Sequence, residues 1–157
     1  MSDDLAARLR TILALDPDAP AIEFEGRWTD WKSLSAIATG VEQHLATAGL
    51  GPGAPVGLVL RNQPAMVGAL IGVLFAGATV VTVNASHGDT GLCADIAELR
   101  LAAVVALDAD WQRPGVGDAA TGALGLLVRH DPAVVEVLPG LEAPGPGPFR
   151  AEPDGIA

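Results

Sequence analysis

The sequence predicts an α/β fold with a doubly wound, mostly parallel sheet flanked by helices and a short hairpin near the N-terminus. Short continuous apolar runs alternate along the chain with longer segments that have helical periodicity. These runs lack polar alternation, which is typical of strands buried on both faces of a parallel sheet. The chain has 157 residues, of which 50% are hydrophobic. That is enough for one domain with a single core, or for part of a larger domain.

The elements follow one another in a regular order, because each segment carries either a 3.6-residue or a strand-type pattern. The expected helices cover residues 2–15, 30–48, 64–76, 89–100 and, weakly, 116–122. The expected strands cover residues 21–24, 27–29, 56–60, 79–83, 103–107, 124–129 and 134–138.

Caps and turns mark the first three elements. Ser2 and Asp3 can cap the first helix, whose leucines and isoleucine recur at helical spacing. The Glu25-Gly26 pair is a turn signal between two short segments, which predicts a hairpin at the edge of the main sheet. Thr29 precedes the second helix and is its expected cap.

The central region repeats a unit of strand and helix. The apolar runs at residues 56–60 and 79–83 predict two buried strands, and Pro64 stands where the first turn of a helix tolerates proline. Gly68 and Gly72 lie one turn apart on that helix, and we expect this face to lie closely on the sheet.

Residues 65–83 contain no charged side chain and are nearly long enough to cross a bilayer. The first half of this stretch has helical character, whereas the second half is β-branched and typical of a strand. We therefore expect no membrane span. Residues 139–148 are rich in proline and glycine and predict a loop or linker.

The charge balance excludes several partners. Nine Lys and Arg residues against 19 Asp and Glu residues give a net charge of −10, which opposes nucleic acid and anionic membrane surfaces. Cys93 is the only cysteine, so an internal disulfide is excluded and a cytoplasmic location is expected. The three histidines have no metal-ligand spacing, and we predict no metal site and no catalytic constellation in this chain.

Candidate binding residues follow the strands, because ligands of open α/β sheets bind outside the carboxyl ends of strands. Those ends are residues 61–62, 84–88 and 108–111. Asn84 and His87 are the candidate substrate-binding residues. The alternative is an ordinary loop in which Asp89 caps the next helix. We expect Asp108 and Asp110 to be solvated acids.

Four short stretches follow one another in a recognisable order. They are an opening hairpin with its helix, a Gly-Pro-Gly turn into a strand, an Asn-x-Pro helix start with its Ala-Gly-Ala end, and the strand end at Asn84. In the same order, these are residues 20–31 (PAIEFEGRWTDW), 49–56 (GLGPGAPV), 62–64 with 76–78 (NQP and AGA), and 81–84 (VTVN). Together they resemble the N-terminal part of the adenylate-forming (AMP-binding) superfamily, of the acyl-CoA synthetase or acid–CoA ligase type.

The resemblance implies a two-step reaction in the complete enzyme. A carboxylic acid is joined to AMP from ATP with Mg²⁺, and the acyl group then passes to a thiol, commonly that of coenzyme A. Residues 151–157 are similar to the family segment that leads into the phosphate loop. The chain contains neither that loop nor the family's C-terminal catalytic lysine, since its single lysine, Lys32, lies at the start of an N-terminal helix.

We therefore expect residues 1–138 to form an N-terminal subdomain and residues 139–157 a linker towards the phosphate-loop strand. On this interpretation the chain binds no cofactor itself, is inactive alone, and has the remainder of the ligase or a partner chain as its partner. Self-association is a further expectation, because truncation uncovers apolar surface. Two alternatives remain open: a noncatalytic interaction or regulatory module with the same fold, and an independent domain that binds a nucleotide at residues 84–89.

Overall fold

The computed structural model describes residues 2–145 and contains six helices and seven strands in that range. The helices are α1 (Ser2–Leu15), α2 (Trp31–Thr47), α3 (Pro64–Phe75), α4 (Asp89–Glu98), α5 (Asp108–Trp111) and α6 (Val116–Ala119). The strands are β1 (Pro20–Phe24), β2 (Arg27–Asp30), β3 (Pro55–Leu60), β4 (Thr79–Asn84), β5 (Ala103–Ala106), β6 (Leu124–His130) and β7 (Ala133–Val137).

The main sheet has five strands in the order β4-β3-β5-β6-β7. The first four strands are parallel, and β7 returns antiparallel to β6. Adjacent residues of β5 are buried on opposite faces: Val104 lies in the apolar cluster with α4 and α6, and Val105 in the cluster with α2 and α3. Helices therefore cover both faces of a mostly parallel sheet, as the sequence predicts.

The hairpin forms as predicted but not where it was predicted. Strands β1 and β2 make a separate two-stranded sheet and do not join the main sheet within residues 2–145. Both turn residues adopt left-handed backbone, with φ 52° at Glu25 and φ 78° at Gly26. Two-residue hairpin turns of this kind need positive φ at both positions, which explains the tight return. The hairpin reaches the end of the main sheet through an ion pair between Arg27 and Asp131.

The cap of α2 is Asp30, and the expectation for Thr29 is wrong. Asp30 has extended backbone, and its Oδ1 accepts a hydrogen bond from the Ser33 backbone N–H at 2.8 Å. Hydrogen bonding to Ser33 lowers the pKa of Asp30 below its usual value. Thr29 belongs to strand β2 and is buried.

Strand β4 differs from the prediction of a strand buried on both faces. It stands at one end of the sheet order, with no neighbouring strand on its outer side in the described range. Of its side chains only Val83 is fully buried, while Thr79, Thr82 and Asn84 are exposed. Its apolar composition is that of a central strand, but strand order places it at an edge.

The close approach of α3 involves another helix and not the sheet. A Cβ on Gly68 would lie 2.8 Å from Ile37 Cβ, and one on Gly72 would lie 2.6 Å from the Ala38 carbonyl oxygen. Both contacts belong to α2. Our expectation of a glycine face on the sheet is therefore wrong: the two glycines let the helices α2 and α3 pack backbone to backbone.

None of the helices in residues 2–145 has the length and apolar character needed to cross a bilayer. After β7, Leu141 is buried in the cluster with α4 and α6, and its carbonyl oxygen accepts a hydrogen bond from the Gly125 backbone N–H of β6. The first part of the expected linker is thus packed against the subdomain. The boundary at residue 138 stays a prediction, and residues 146–157 lie outside the described range.

Candidate functional site

The carboxyl ends of β3, β4 and β5 meet at one edge of the sheet, as their parallel direction requires. Leu60 at the end of β3 is the register partner of Asn84 at the end of β4. The helix α5 begins two residues after β5 and turns Asp110 towards Arg61, which follows β3. Arg61 and Asp110 are 49 positions apart in the chain, and the topology brings them together where open α/β sheets bind ligands.

Asp110 is the most buried charge of this edge, with 1% of its surface exposed. Its Oδ1 accepts from Arg61 Nη2 at 2.7 Å and from Arg113 Nη1 at 3.3 Å, and its Oδ2 accepts from Arg61 Nε at 3.0 Å. Our expectation of a solvated acid is therefore wrong for Asp110. The short helix α5, in a stretch expected to be a loop, points this carboxylate inwards, and two guanidinium groups offset the cost of burying it.

Arg113 ties the loop after β4 to this carboxylate. Its Nη1 donates to the Ala85 carbonyl oxygen at 3.0 Å, its Nη2 to the His87 carbonyl oxygen at 2.7 Å, and its Nε to Asp89 Oδ1 at 2.7 Å. The bond to Asp89 is the largest cause that raises the pKa of Arg113 above its usual value. Arg113 is absent from the residues that the sequence predicts for the site. The sequence does show an arginine shortly after two acids at a strand end. It does not show that most partners of this arginine lie in the loop after β4.

The two predicted binding residues lie in the loop that Arg113 holds. Asn84 Oδ1 accepts a hydrogen bond from the Ser86 backbone N–H at 2.8 Å, which shapes the turn after β4. His87 Nδ1 lies 2.7 Å from Asp95 Oδ2 of α4, and 52% of the His87 side chain is exposed. Asn84 and His87 thus bind Ser86 and Asp95 and do not contact each other through these groups. Asp89, the expected cap of α4, instead binds Arg113 through its side chain.

An open cleft of about 830 Å³ lies between the hairpin and the carboxyl ends of β5 and β6. The exposed Trp28 forms part of its hairpin wall, and Phe24 meets the His130 ring edge-on at 6.1 Å between centroids. Neither Asn84 nor His87 lines this cleft. Sequence reasoning missed it, because its walls come from the hairpin and the main sheet, whose relative placement no local pattern specifies.

A model of the family described as AMP-binding enzyme matches residues 9–151. The chain belongs to this family. The AMP-binding fold recurs in a benzoate CoA ligase from Burkholderia xenovorans LB400, with TM-score 0.65, 21% identity and coverage of 82% of this chain and 28% of that one. MatB from Rhodopseudomonas palustris gives TM-score 0.64 and 25% identity, covering 83% and 26% of the two chains.

A curated relative extends the comparison to a much larger protein. A nonribosomal peptide synthetase from Emericella nidulans is 38% identical over 72 residues, which are 45% of this chain and 1% of that protein. The chain thus spans about 1% of this synthetase and about a quarter of the solved structures. It corresponds to an N-terminal portion of the AMP-binding unit.

AMP-binding enzymes use ATP and Mg²⁺, and ATP-bound MatB is among the structures with this fold. The loop after β4 fits neither group. Asp89 occupies the first turn of α4, where a phosphate would otherwise meet the helix N-terminus, and the preceding carbonyl groups point to Arg113. Arginine binds both oxygens of Asp110 and one oxygen of Asp89, and the described residues hold no cluster of three or more His, Cys, Asp or Glu side chains suited to a metal ion.

Proposed function

We propose that this chain is the N-terminal part of an ATP-dependent acid–thiol ligase. The complete enzyme activates a carboxylic acid as an acyl-adenylate and then forms a thioester with coenzyme A. The match of the AMP-binding family model to residues 9–151 carries this proposal. The fold shared with a benzoate CoA ligase supports coenzyme A as the acceptor. We further propose that the enzyme is cytoplasmic, where ATP and coenzyme A are available.

The chain on its own is inactive in this proposal. Adenylation depends on positioned donors around the transferred phosphoryl group, on a lysine and on Mg²⁺. The 157 residues contain a single lysine, Lys32, which is exposed on the first turn of α2. The remainder of the ligase, as the same polypeptide or as a partner chain, supplies the phosphate-binding groups.

The second candidate is an adenylation unit of a nonribosomal peptide synthetase. The curated relative from Emericella nidulans favours it, because that protein is a nonribosomal peptide synthetase by name. The two candidates share the first half-reaction and differ in the acceptor. Coenzyme A would accept the acyl group in the first, and the thiol of a carrier domain in the second.

The test starts with the gene immediately downstream of the codon for Ala157. We expect a Ser/Thr-Gly-rich phosphate loop there, and acid-dependent ATP–pyrophosphate exchange by the protein as encoded. Residues 1–157 alone, assayed beside it, should give no exchange above a no-enzyme control. A stop codon at this point together with no exchange in the presence of co-expressed neighbours would contradict the ligase and favour the noncatalytic module. Thioester formation is then compared with coenzyme A and with a carrier protein as the acceptor. A thioester on coenzyme A supports the first candidate, and one on the carrier protein supports the second.

We also propose that Asn84 and His87 contribute to binding of the carboxylic acid. In the complete enzyme, His87→Ala should change the Michaelis constant for the acid by no more than about tenfold, or roughly 1.4 kcal/mol, because a loop residue held at Nδ1 by Asp95 positions substrate. Asp18→Ala, an exposed change before β1, is the control. A loss of several orders of magnitude in turnover would show that His87 transfers a proton instead.

A further inference from the structure

Arg61 and Arg113 share the carboxylate of Asp110, but they differ in how many of their donors the protein uses. Arg113 gives Nε, Nη1 and Nη2 to acceptors on Ala85, His87, Asp89 and Asp110, and its side chain is 17% exposed. Arg61 bonds only to Asp110 within residues 2–145, through Nε and Nη2, and its side chain is 40% exposed. The nitrogen atoms of Arg113 thus all donate to protein acceptors, whereas one edge of the Arg61 guanidinium group has no acceptor within residues 2–145.

Asp110 fixes the orientation of that free edge. A guanidinium group has five N–H donors in a rigid plane, and the paired bonds from Nε and Nη2 to one carboxylate lock the plane. The carboxylate is itself immobile, because it is buried and held from the other side by Arg113. Three N–H groups of Arg61, two on Nη1 and one on Nη2, meet no acceptor in the described range. A ligand that accepts from these groups avoids the entropy cost of first ordering a long side chain.

The free edge lies where this architecture binds ligands. Arg61 directly follows β3, and its neighbour Leu60 is paired in register with Asn84 at the end of β4. The Oδ1 atom of Asn84 is used by the turn, and its amide Nδ2 has no acceptor among residues 2–145. Two adjacent strand ends therefore each present donors, and the neighbouring carboxylates of Asp110 and Asp89 are each paired with arginine.

We propose that Arg61, oriented by Asp110, is an oxyanion-binding residue that takes a single carboxylate or phosphate group at the carboxyl edge of β3 and β4. Asp110 is a positioning residue that acts through Arg61. The site binds one oxyanion and not a triphosphate, because one guanidinium edge supplies all of its positive charge. This inference concerns the chain itself, so it holds or fails independently of the ligase proposal.

The test is an NMR titration of the 157-residue chain, which follows backbone amide and arginine Nε–Hε signals. Sodium benzoate and inorganic phosphate are added in separate arms at constant ionic strength, which distinguishes a carboxylate from a phosphate ligand. We expect saturable shifts at Arg61, Asn84 and the backbone between residues 84 and 88 with at least one of the two anions. Shifts that increase linearly without saturation in both arms, or that are confined to other residues, would overturn the proposal.

Variants separate recognition from net charge. Arg61→Gln should weaken binding of the anion by about tenfold or more, because the lost bonds involve charged partners. Arg8→Gln makes the same change of net charge on the exposed face of α1 and should leave the affinity unchanged. Arg61→Lys keeps the charge and loses the planar fork, so it should retain the fold and still lose about fivefold or more in affinity. Equal affinity of Arg61→Lys and the unsubstituted chain would refute orientation by Asp110. Equal affinity of Arg61→Gln would refute the site.

Discussion

Replacing Gly72 by alanine should destabilise the chain, although alanine is the better helix former. The new Cβ would lie 2.6 Å from the Ala38 carbonyl oxygen, 2.7 Å from Val41 Cβ and 3.1 Å from Ala38 Cα. Carbon atoms in ordinary contact are about 3.5–4.0 Å apart, so α2 and α3 must separate by roughly 1 Å. None of the three atoms can rotate away, because two are backbone and the third is the branching carbon of a fully buried valine.

The magnitude follows from two opposing effects. Alanine in place of glycine inside a helix gains about 1 kcal/mol in helix propensity. Overpacking a well-filled interface costs about 1–3 kcal/mol, and the upper end applies where backbone must move. We expect a net loss of about 2 kcal/mol in the free energy of unfolding for Gly72→Ala. That is a large part of the stability of a domain of this size, about 5–15 kcal/mol.

Urea unfolding followed by far-UV circular dichroism measures the effect. With a slope of about 2 kcal/mol per molar urea, the midpoint should fall by about 1 M. Gly117→Ala in α6 is the matched control, because a Cβ there meets nothing within 4 Å. Its midpoint should equal that of the unsubstituted chain or rise by up to about 0.5 M, because the gain in helix propensity meets no opposing contact. A Gly72→Ala midpoint equal to or above that of the unsubstituted chain would refute the close packing of α2 on α3.

Two further predictions concern the cap of α2 and the outermost strand of the sheet, β4. Asp30→Ala should cost about 1 kcal/mol at neutral pH, because the Ser33 N–H loses its acceptor. Folding lowers the pKa of Asp30, so its contribution is fully present above the usual value of 3.8 and is lost as the pH falls through the lowered folded value. The difference in unfolding free energy between Asp30→Ala and the unsubstituted chain should therefore be smaller at pH 3 than at pH 7, and an equal difference at both would contradict this. The edge strand β4 carries no charged residue and no proline, which are the residues that usually prevent edge strands from pairing with other chains. The isolated chain should therefore self-associate as its concentration rises, which sedimentation velocity measures. A monomer that binds no hydrophobic dye up to high micromolar concentration would show that this edge is protected.

The helices and strands of this fold could be predicted because each has a recognisable pattern of hydrophobic residues along the sequence. The run from Val56 to Leu60 is continuous because both faces of β3 are covered, and the stripe of α2 follows the 3.6-residue repeat. The same reasoning could not place β4 at an edge. An apolar run has the same composition in either position, and the number of neighbours depends on strand order alone.

The candidate site divides in the same way. The strand ends that carry Arg61, Asn84 and Asp110 follow from topology, and the structure brings them to one edge. The burial of Asp110 could not be foreseen, because it depends on two arginines whose loops meet only in the folded chain. Likewise, the spacing of Gly68 and Gly72 indicates close approach, but it does not say whether a helix or the sheet approaches.

The strongly negative chain and a site for an anion are compatible because charge acts locally. The net charge of −10 excludes polyanions, which need many free cations along one surface. At the carboxyl edge, however, Arg61 and Arg113 offset two of the three acids, Asp110 and Asp89, so the edge carries little of the net charge of the whole molecule. At physiological ionic strength charges more than about 8 Å away are largely screened. A single carboxylate at Arg61 therefore meets an oriented guanidinium group first and the remaining acids of the chain only weakly.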